Sequence, residues 1–274
     1  DLMESFIEFT AKNGKEITRL RVAAVKEQLT RSLFPIAWKL DRSQRTDITF
    51  MGYESGYKTS EVSGLPRLYY DRSKPFERKI PFYNYYTDTL SVQKPLAYII
   101  PQGWWKVIER LQANSVLMRR LTRDSTIEVE AYKITSYQSI PQPFEGHHIN
   151  REVQVAKSIR KVTFRKGDYY IPLNQRANRF LMEVLEPNTE DSYFTWNFFD
   201  PILGQKEGFS DYVFEETAAE YLKKNPELKT RLEDRRAIDS SFAKSARAQL
   251  GFVYKNSPYF EPDYMQYPVF RVVR

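Results

Sequence analysis

Residues 97–121 read AYIIPQGWWKVIERLQANSVLMRRL, and the fold class turns on this stretch. Ala97 to Ile100 is a short apolar run of the kind that fills a buried strand. Trp104, Val107, Ile108 and Leu111 then fall at i, i+3, i+4 and i+7, which is one face of a helix, and Asn114 stops it. Ser115 to Leu121 supplies a returning strand. The order predicts a βαβ-like element, which connection rules make right-handed.

On the C-terminal side the period changes from helical to alternating. Ile127, Val129 and Ala131 alternate with Glu128 and Glu130, Val153 and Val155 with Glu152 and Gln154, and Val162 and Phe164 with Lys161, Thr163 and Arg165. These segments predict an antiparallel sheet with one wet face. Lys166-Gly167-Asp168 turns the chain into a strand over Tyr169 to Leu173. Ala177, Phe180, Leu181, Val184 and Leu185 form a helical stripe that Pro187 ends. The last third is helical, with Phe214, Ala218, Tyr221 and Leu222 on one face, a break at Asn225-Pro226, and Ala243, Ala246, Leu250 and Val253 on a later one. Val269 to Val273 closes the chain as an edge strand.

On the N-terminal side, Leu2, Phe6 and Phe9 mark a helix over residues 1–12, which Asn13-Gly14 stops, and Val22, Val25, Leu29 and Leu33 mark a second helix. From Phe34 to Lys94 the chain reads as an aromatic connector or a short-stranded sheet, punctuated by Gly52, Gly56, Gly64, Pro66, Pro75 and Pro81. The whole is an α+β chain: a helical segment over residues 1–38, an extended aromatic connector over 39–94, and a domain over 95–274 that joins the βαβ-like unit, the antiparallel sheet and C-terminal helices.

Composition narrows the chemistry. With 274 residues and 41% hydrophobic side chains the chain can bury a sizeable core, so disorder is excluded. No Cys is present, which removes disulfides, thiolate metal sites and Cys nucleophiles. The net charge of +7 raises the question of nucleic acid, but the basic residues are dispersed, and the densest run, Lys157 to Lys166, is one solvated face of a strand. No apolar stretch reaches the roughly 20 residues needed to span a bilayer. Gly-x-Gly-x-x-Gly, the phosphate-cradling Gly-x-x-x-x-Gly-Lys and Gly-x-Ser-x-Gly are all absent.

Only two His occur, His147 and His148, and neither begins a His-x-x-Glu pattern. Adjacent residues on a strand point to opposite faces, so the pair cannot easily share one metal. A second concentration of chemistry is the run Tyr193, Phe194, Trp196, Phe198 and Phe199 among Glu186, Glu190, Asp191 and Asp200. Aromatics beside acids resemble a sugar-binding cleft, although the commoner use of such a run is an aromatic core whose acids cap helices. His147, His148, Trp196 and Asp200 are the candidate ligand contacts. No residue qualifies as catalytic or as a metal ligand.

Several segments carry a family resemblance: Ser60-Glu61-Val62-Ser63-Gly64-Leu65, Leu68-Tyr69-Tyr70-Asp71-Arg72, Ala97-Tyr98-Ile99-Ile100-Pro101-Gln102, Pro143-Phe144-Glu145-Gly146-His147, and Leu185-Glu186-Pro187 through Asp191-Ser192 to Trp196-Asn197-Phe198-Phe199-Asp200. Through them the chain, from Lys39 onward, resembles the C-terminal region of zinc carboxypeptidase-like proteins of the carboxypeptidase A superfamily from Bacteroidetes-type bacteria. The resemblance implies a preceding catalytic domain holding zinc with a His-x-x-Glu pair and a later His, with a Glu as general base and an Arg for the substrate's terminal carboxylate. None of those motifs stands in this chain. The resemblance therefore implies a non-catalytic accessory region of an exported bacterial hydrolase, periplasmic or at the cell surface. Its partners are its own upstream catalytic domain and a peptide or cell-wall fragment, and the helix Asp1 to Gly14 closes that upstream domain. The rival reading is a stand-alone module that binds a cell-surface polymer or glycan, tested by the exposure of Trp196, Phe198 and Phe199. A third is an autonomous hydrolase using acids around Asp200.

Overall fold

The computed structural model describes residues 1–273. They divide into two compact units, one formed by Leu33–Gln93 and the other by Asp1–Ser32 with the chain from Lys94 onward.

The larger unit begins with one continuous helix, α1, Leu2–Thr30. Asn13-Gly14 does not stop it, for identifiable reasons. Asp1 and Glu4 form a reciprocal capping box at its start, Arg19 holds Glu16 at 2.6 Å one turn away, and Asn13 Nδ2 donates 2.9 Å to the Phe9 carbonyl within the helix. A single glycine costs a helix only about 1 kcal/mol relative to Ala, which these local bonds offset. No residue of α1 is buried, and Leu2, Phe6 and Phe9 are exposed. Its C-terminal end is tied down where its last carbonyls lack helical partners: Lys94 Nζ donates to Leu29 O (2.8 Å) and Asn178 Nδ2 to Gln28 O (3.1 Å).

The smaller unit consists of two antiparallel pairs. Strand β1, Leu33–Leu40, pairs with β4, Tyr86–Gln93, while β2, Thr46–Thr59, and β3, Pro66–Phe82, form a long ribbon. The segment is thus built of long strands rather than the irregular connector or short strands expected, and residues 33–38 lie in a strand. Cross-strand packing explains two of the glycines that read as punctuation. A Cβ on Gly52 would sit 2.8 Å from the rings of Phe50 and Phe76, and one on Gly56 would meet Tyr69 at 3.0 Å. Aromatic rings lie over these positions and leave no room for a side chain.

The sheet of the larger unit has six strands: β5 (Ala97–Ile100), β6 (Arg119–Arg120), β7 (Ser125–Ser139), β8 (Asn150–Phe164), β9 (Tyr169–Pro172) and β10 (Phe270–Val272). Their order is β6-β9-β5-β10-β7-β8. Helix α2, Trp105–Ala113, follows β5 and buries Val107, Ile108 and Leu111 as its spacing predicts. Both β5 and β6 are antiparallel to β9, so they run parallel to each other with β9 inserted between them. The βαβ-like element is therefore split, and its returning strand is confined to two residues of the predicted Ser115–Leu121. The strand at the C-terminus is not an edge: β10 pairs with β5 on one side and β7 on the other. All three of its residues are buried, as an interior strand demands.

One face of this sheet packs Ala97, Ile99, Val129, Ala131, Phe164, Phe270 and Val272 together. Against the other, Tyr98 reaches toward Met182 and Glu186 from α3, Asn178–Leu185, and the residue after it. Beyond a 3-10 turn at Asp200–Ile202, the chain forms α4 (Asp211–Lys224), α5 (Pro226–Ile238), α6 (Ser240–Ala243) and α7 (Ala246–Lys255). The break at Asn225-Pro226 falls where expected, with Pro226 at a position whose N–H has no helical partner. Phe214, Leu228, Leu232, Phe242, Leu250, Val253 and Tyr254 give these helices a core of their own.

Candidate functional site

The loop after α3 folds back across the mouth of the β7–β8 hairpin, because its aromatics alternate between core and surface. Phe199 is fully buried, edge-on to Tyr267 at 5.1 Å and to Trp104 at 5.0 Å. Phe194 is fully buried and meets Tyr137 edge-on at 5.9 Å. Trp196 and Phe198 remain half-buried. Together with Trp104, Trp105 and Lys106 at the start of α2, and with His147, they line a cleft of about 390 Å³. Trp105 is 61% exposed. Three of the four Trp of the chain thus stand around one opening.

The polar groups of the cleft form a chain whose directions follow from chemistry. Asn197 Nδ2 donates to the His148 carbonyl (2.9 Å) and to Asp200 Oδ1 (3.4 Å), and both partners can only accept. That fixes the amide, so Asn197 Oδ1 faces His147 Nδ1 at 3.3 Å as an acceptor and the imidazole carries its proton on Nδ1. On the neutral ring Nε2 is then the accepting nitrogen. Asp200 Oδ1 also receives Asn150 Nδ2 at 3.0 Å. Burial pushes the Asp200 carboxyl above its ordinary value, and the hydrogen bonds from Asn150 and Asn197 act against that rise. Asn197 adopts a left-handed φ of 64°, and Glu145, Gly146 and Glu152 nearby in sequence to His147 also have positive φ, at 50°, 80° and 52°. Non-glycine residues hold such conformations at a cost of about 1–3 kcal/mol, and they gather where a structure serves a site.

Of the predicted contacts, His147, Trp196 and Asp200 come together, with the His147 ring edge-on to Trp196 at 5.5 Å. His148 does not join them. It is exposed, and its Nδ1 lies 2.9 Å from Ile140 O in its own hairpin. The acids of the aromatic run disperse as well. Asp191 accepts Trp196 Nε1 at 3.2 Å, Asp200 faces the two amides, and Glu186 is buried beneath the sheet beside Arg271. Among the described residues no three His, Cys, Asp or Glu side chains gather to hold a metal. Zinc, which the resemblance implies for a neighbouring domain, therefore has no fitting ligand set here. Trp104 and Trp105 were not among the predicted contacts, because helical spacing assigned Trp104 to a core face. Asn150 and Asn197 carried only a faint signal, the preference of Asn for left-handed backbone.

An open cleft walled by indole and phenyl rings, with one Lys, one imidazole and an amide, is equipped to hold a flat or ring-bearing ligand by stacking.

No family profile matches the chain, and no solved structure matches it. Carboxypeptidase 2 of Trichophyton tonsurans and that of Trichophyton rubrum are each 28% identical to it over 104 residues, 38% of this chain and 19% of the relative. Probable carboxypeptidase 2 of Arthroderma benhamiae is 28% identical over 102 residues, 37% of this chain and 19% of its own. The chain thus spans about a fifth of the length of these curated relatives. The similarity is to about a hundred residues of these carboxypeptidases, and the relatives are fungal where the resemblance read from the sequence is to bacterial proteins.

Proposed function

We propose that this chain is a non-catalytic accessory region of an exported, zinc-dependent carboxypeptidase-like hydrolase. In this reading, other parts of the polypeptide hold the metal, and the Trp104–Trp105–Trp196 cleft binds a peptide or cell-wall fragment. The observation that carries it is the pairing of a carboxypeptidase-related sequence with a cleft that has rings to bind with and no ligand set for zinc. Purified chain incubated with zinc and an N-blocked dipeptide tests it. The expected result is no release of the C-terminal residue and less than stoichiometric zinc after dialysis. Hydrolysis accompanied by one zinc per chain overturns the reading.

A second reading, a stand-alone module for a cell-surface polymer or glycan, is favoured by the same half-exposed Trp196 and Phe198. The burial of Phe199 removes one of its three proposed rings, and Trp105 supplies another. The coding sequence on the N-terminal side of Asp1 separates the two. An in-frame His-x-x-Glu with a later His supports the accessory region, and its absence favours the module.

A further inference from the structure

Phe209 together with α5, α6 and the length of α7 lines a second opening, of about 510 Å³, that shares no residue with the cleft and is unused by the proposed function. Its walls alternate two kinds of residue. Phe209, Phe242 and Phe252 supply rings, and Arg235, Arg247 and Lys255 supply positive charge. The guanidinium of Arg235 lies over Phe242 at 4.4 Å and Phe252 at 5.8 Å, and that of Arg247 over Phe209 at 4.7 Å. A guanidinium attracted to a ring face still has N–H groups to offer an acceptor.

The charges facing this opening do not cancel. Asp211 pairs with Arg247. Asp239, one helical turn after Arg235, feels its charge but spends its carboxylate capping α6, where it accepts the amides of Ser241 and Phe242, and Glu233 and Asp234 do not line the opening. Neither Arg235 nor Lys255 forms an ion pair among the described residues. Cations held close together repel one another, and an anion placed among them relieves that repulsion. Gly251 lies in the wall, and a Cβ built on it meets no atom within 4 Å, so its surface faces open space.

We infer that this groove binds a small organic anion, a phosphate or carboxylate carried on a flat ring. The ring stacks among the phenylalanines and the anionic group meets Arg235 and Lys255. Either feature alone is common on protein surfaces; their convergence in one concave site of ligand size is what specifies the class.

Calorimetric titration of the whole chain with phenyl phosphate and with benzoate tests the inference, and the stronger of the two identifies the anion. Inorganic phosphate and benzyl alcohol supply the charge and the ring separately. The expected result is that at least one aryl anion binds ten times more tightly than either control. R235Q/K255Q weakens it at least tenfold, and G251L, which fills the opening, does the same. G251A, which adds one methyl in open space, binds as the parent does and shows that the helix tolerates substitution. The inference is overturned if neither aryl anion binds at millimolar concentration, if a control binds equally well, or if binding survives both G251L and R235Q/K255Q in variants whose circular dichroism matches the parent.

Discussion

Arg271 Nε lies 3.1 Å from Glu186 Oε1, and their side chains are 4% and 1% exposed, so on the Tyr98 face of the sheet a buried ion pair joins the interior strand β10 to the end of α3. Arg271 also reaches Glu130 and the hydroxyl of Tyr132, and the Tyr98 hydroxyl donates to Glu186. Burial pushes the Glu186 carboxyl up and Arg271 opposes it. Such a network is costly to break from one side, because the remaining charge is left in a dry interior.

R271M is therefore expected to destabilise the chain by about 3–5 kcal/mol in urea denaturation, leaving Glu186 without its cation. E186L/R271M removes both charges and should lose less than the two single changes added together. A loss below about 1 kcal/mol for R271M would mean that the pair does not hold β10 in place.

The cleft makes a separable prediction. Trp105 is 61% exposed, so W105A should leave stability within about 0.5 kcal/mol while weakening binding of soluble cell-wall peptides about tenfold, the scale of one aromatic contact. W196A removes a half-buried ring that meets His147 and Asp191, and should lower both binding and thermal midpoint. Equal affinity in W105A and the parent would remove the cleft from consideration.

Asp200 provides a dependence on pH. Its folded-state carboxyl titrates above the ordinary value, with burial as the larger cause, so the native state holds the proton more tightly than the unfolded chain does. Its contribution is most favourable below the unfolded value and declines as pH rises through the folded one. D200N keeps an oxygen for Asn150 and Asn197 but does not titrate. The stability of D200N relative to the parent should rise across that acidic window and level off above it. A signed difference, D200N minus parent, that falls with rising pH in denaturation midpoints measured between about pH 3 and 7 would contradict the assignment.

Gly14 offers a test of α1. Its Cβ position is empty space in a helix with no buried residue, so G14A should raise helix stability by about 0.5–1 kcal/mol, read as increased ellipticity on heating. G14P should break the helix there and lower the helical signal. No gain from G14A would restore Asn13-Gly14 as a true helix end.

Local pattern was legible wherever one face of an element meets a core. Val107, Ile108 and Leu111 on α2 and Leu181, Val184 and Leu185 on α3 are buried as their spacing requires, and Tyr169 begins β9 after the Lys166-Gly167-Asp168 turn. The α+β class followed from that. Spacing failed where the deciding partner is distant or absent. Gly52 and Gly56 read as breaks because the rings that cover them belong partly to Phe76 and Tyr69 on the opposite strand.

From the sequence alone came the inventory: no Cys, two adjacent His, an aromatic run among acids, and periods that set the type of most elements. These depend on side-chain chemistry and on neighbours within a few residues. Tertiary structure alone decided that β10 lies inside the sheet, that β9 splits the βαβ-like element, and that His147 parts company with His148. It also brought Trp104 and Trp105 to Trp196, and Arg271 to Glu186. Each of those outcomes joins residues far apart in the chain, and a pattern of period 2 or 3.6 records which face is apolar but not which distant surface will cover it.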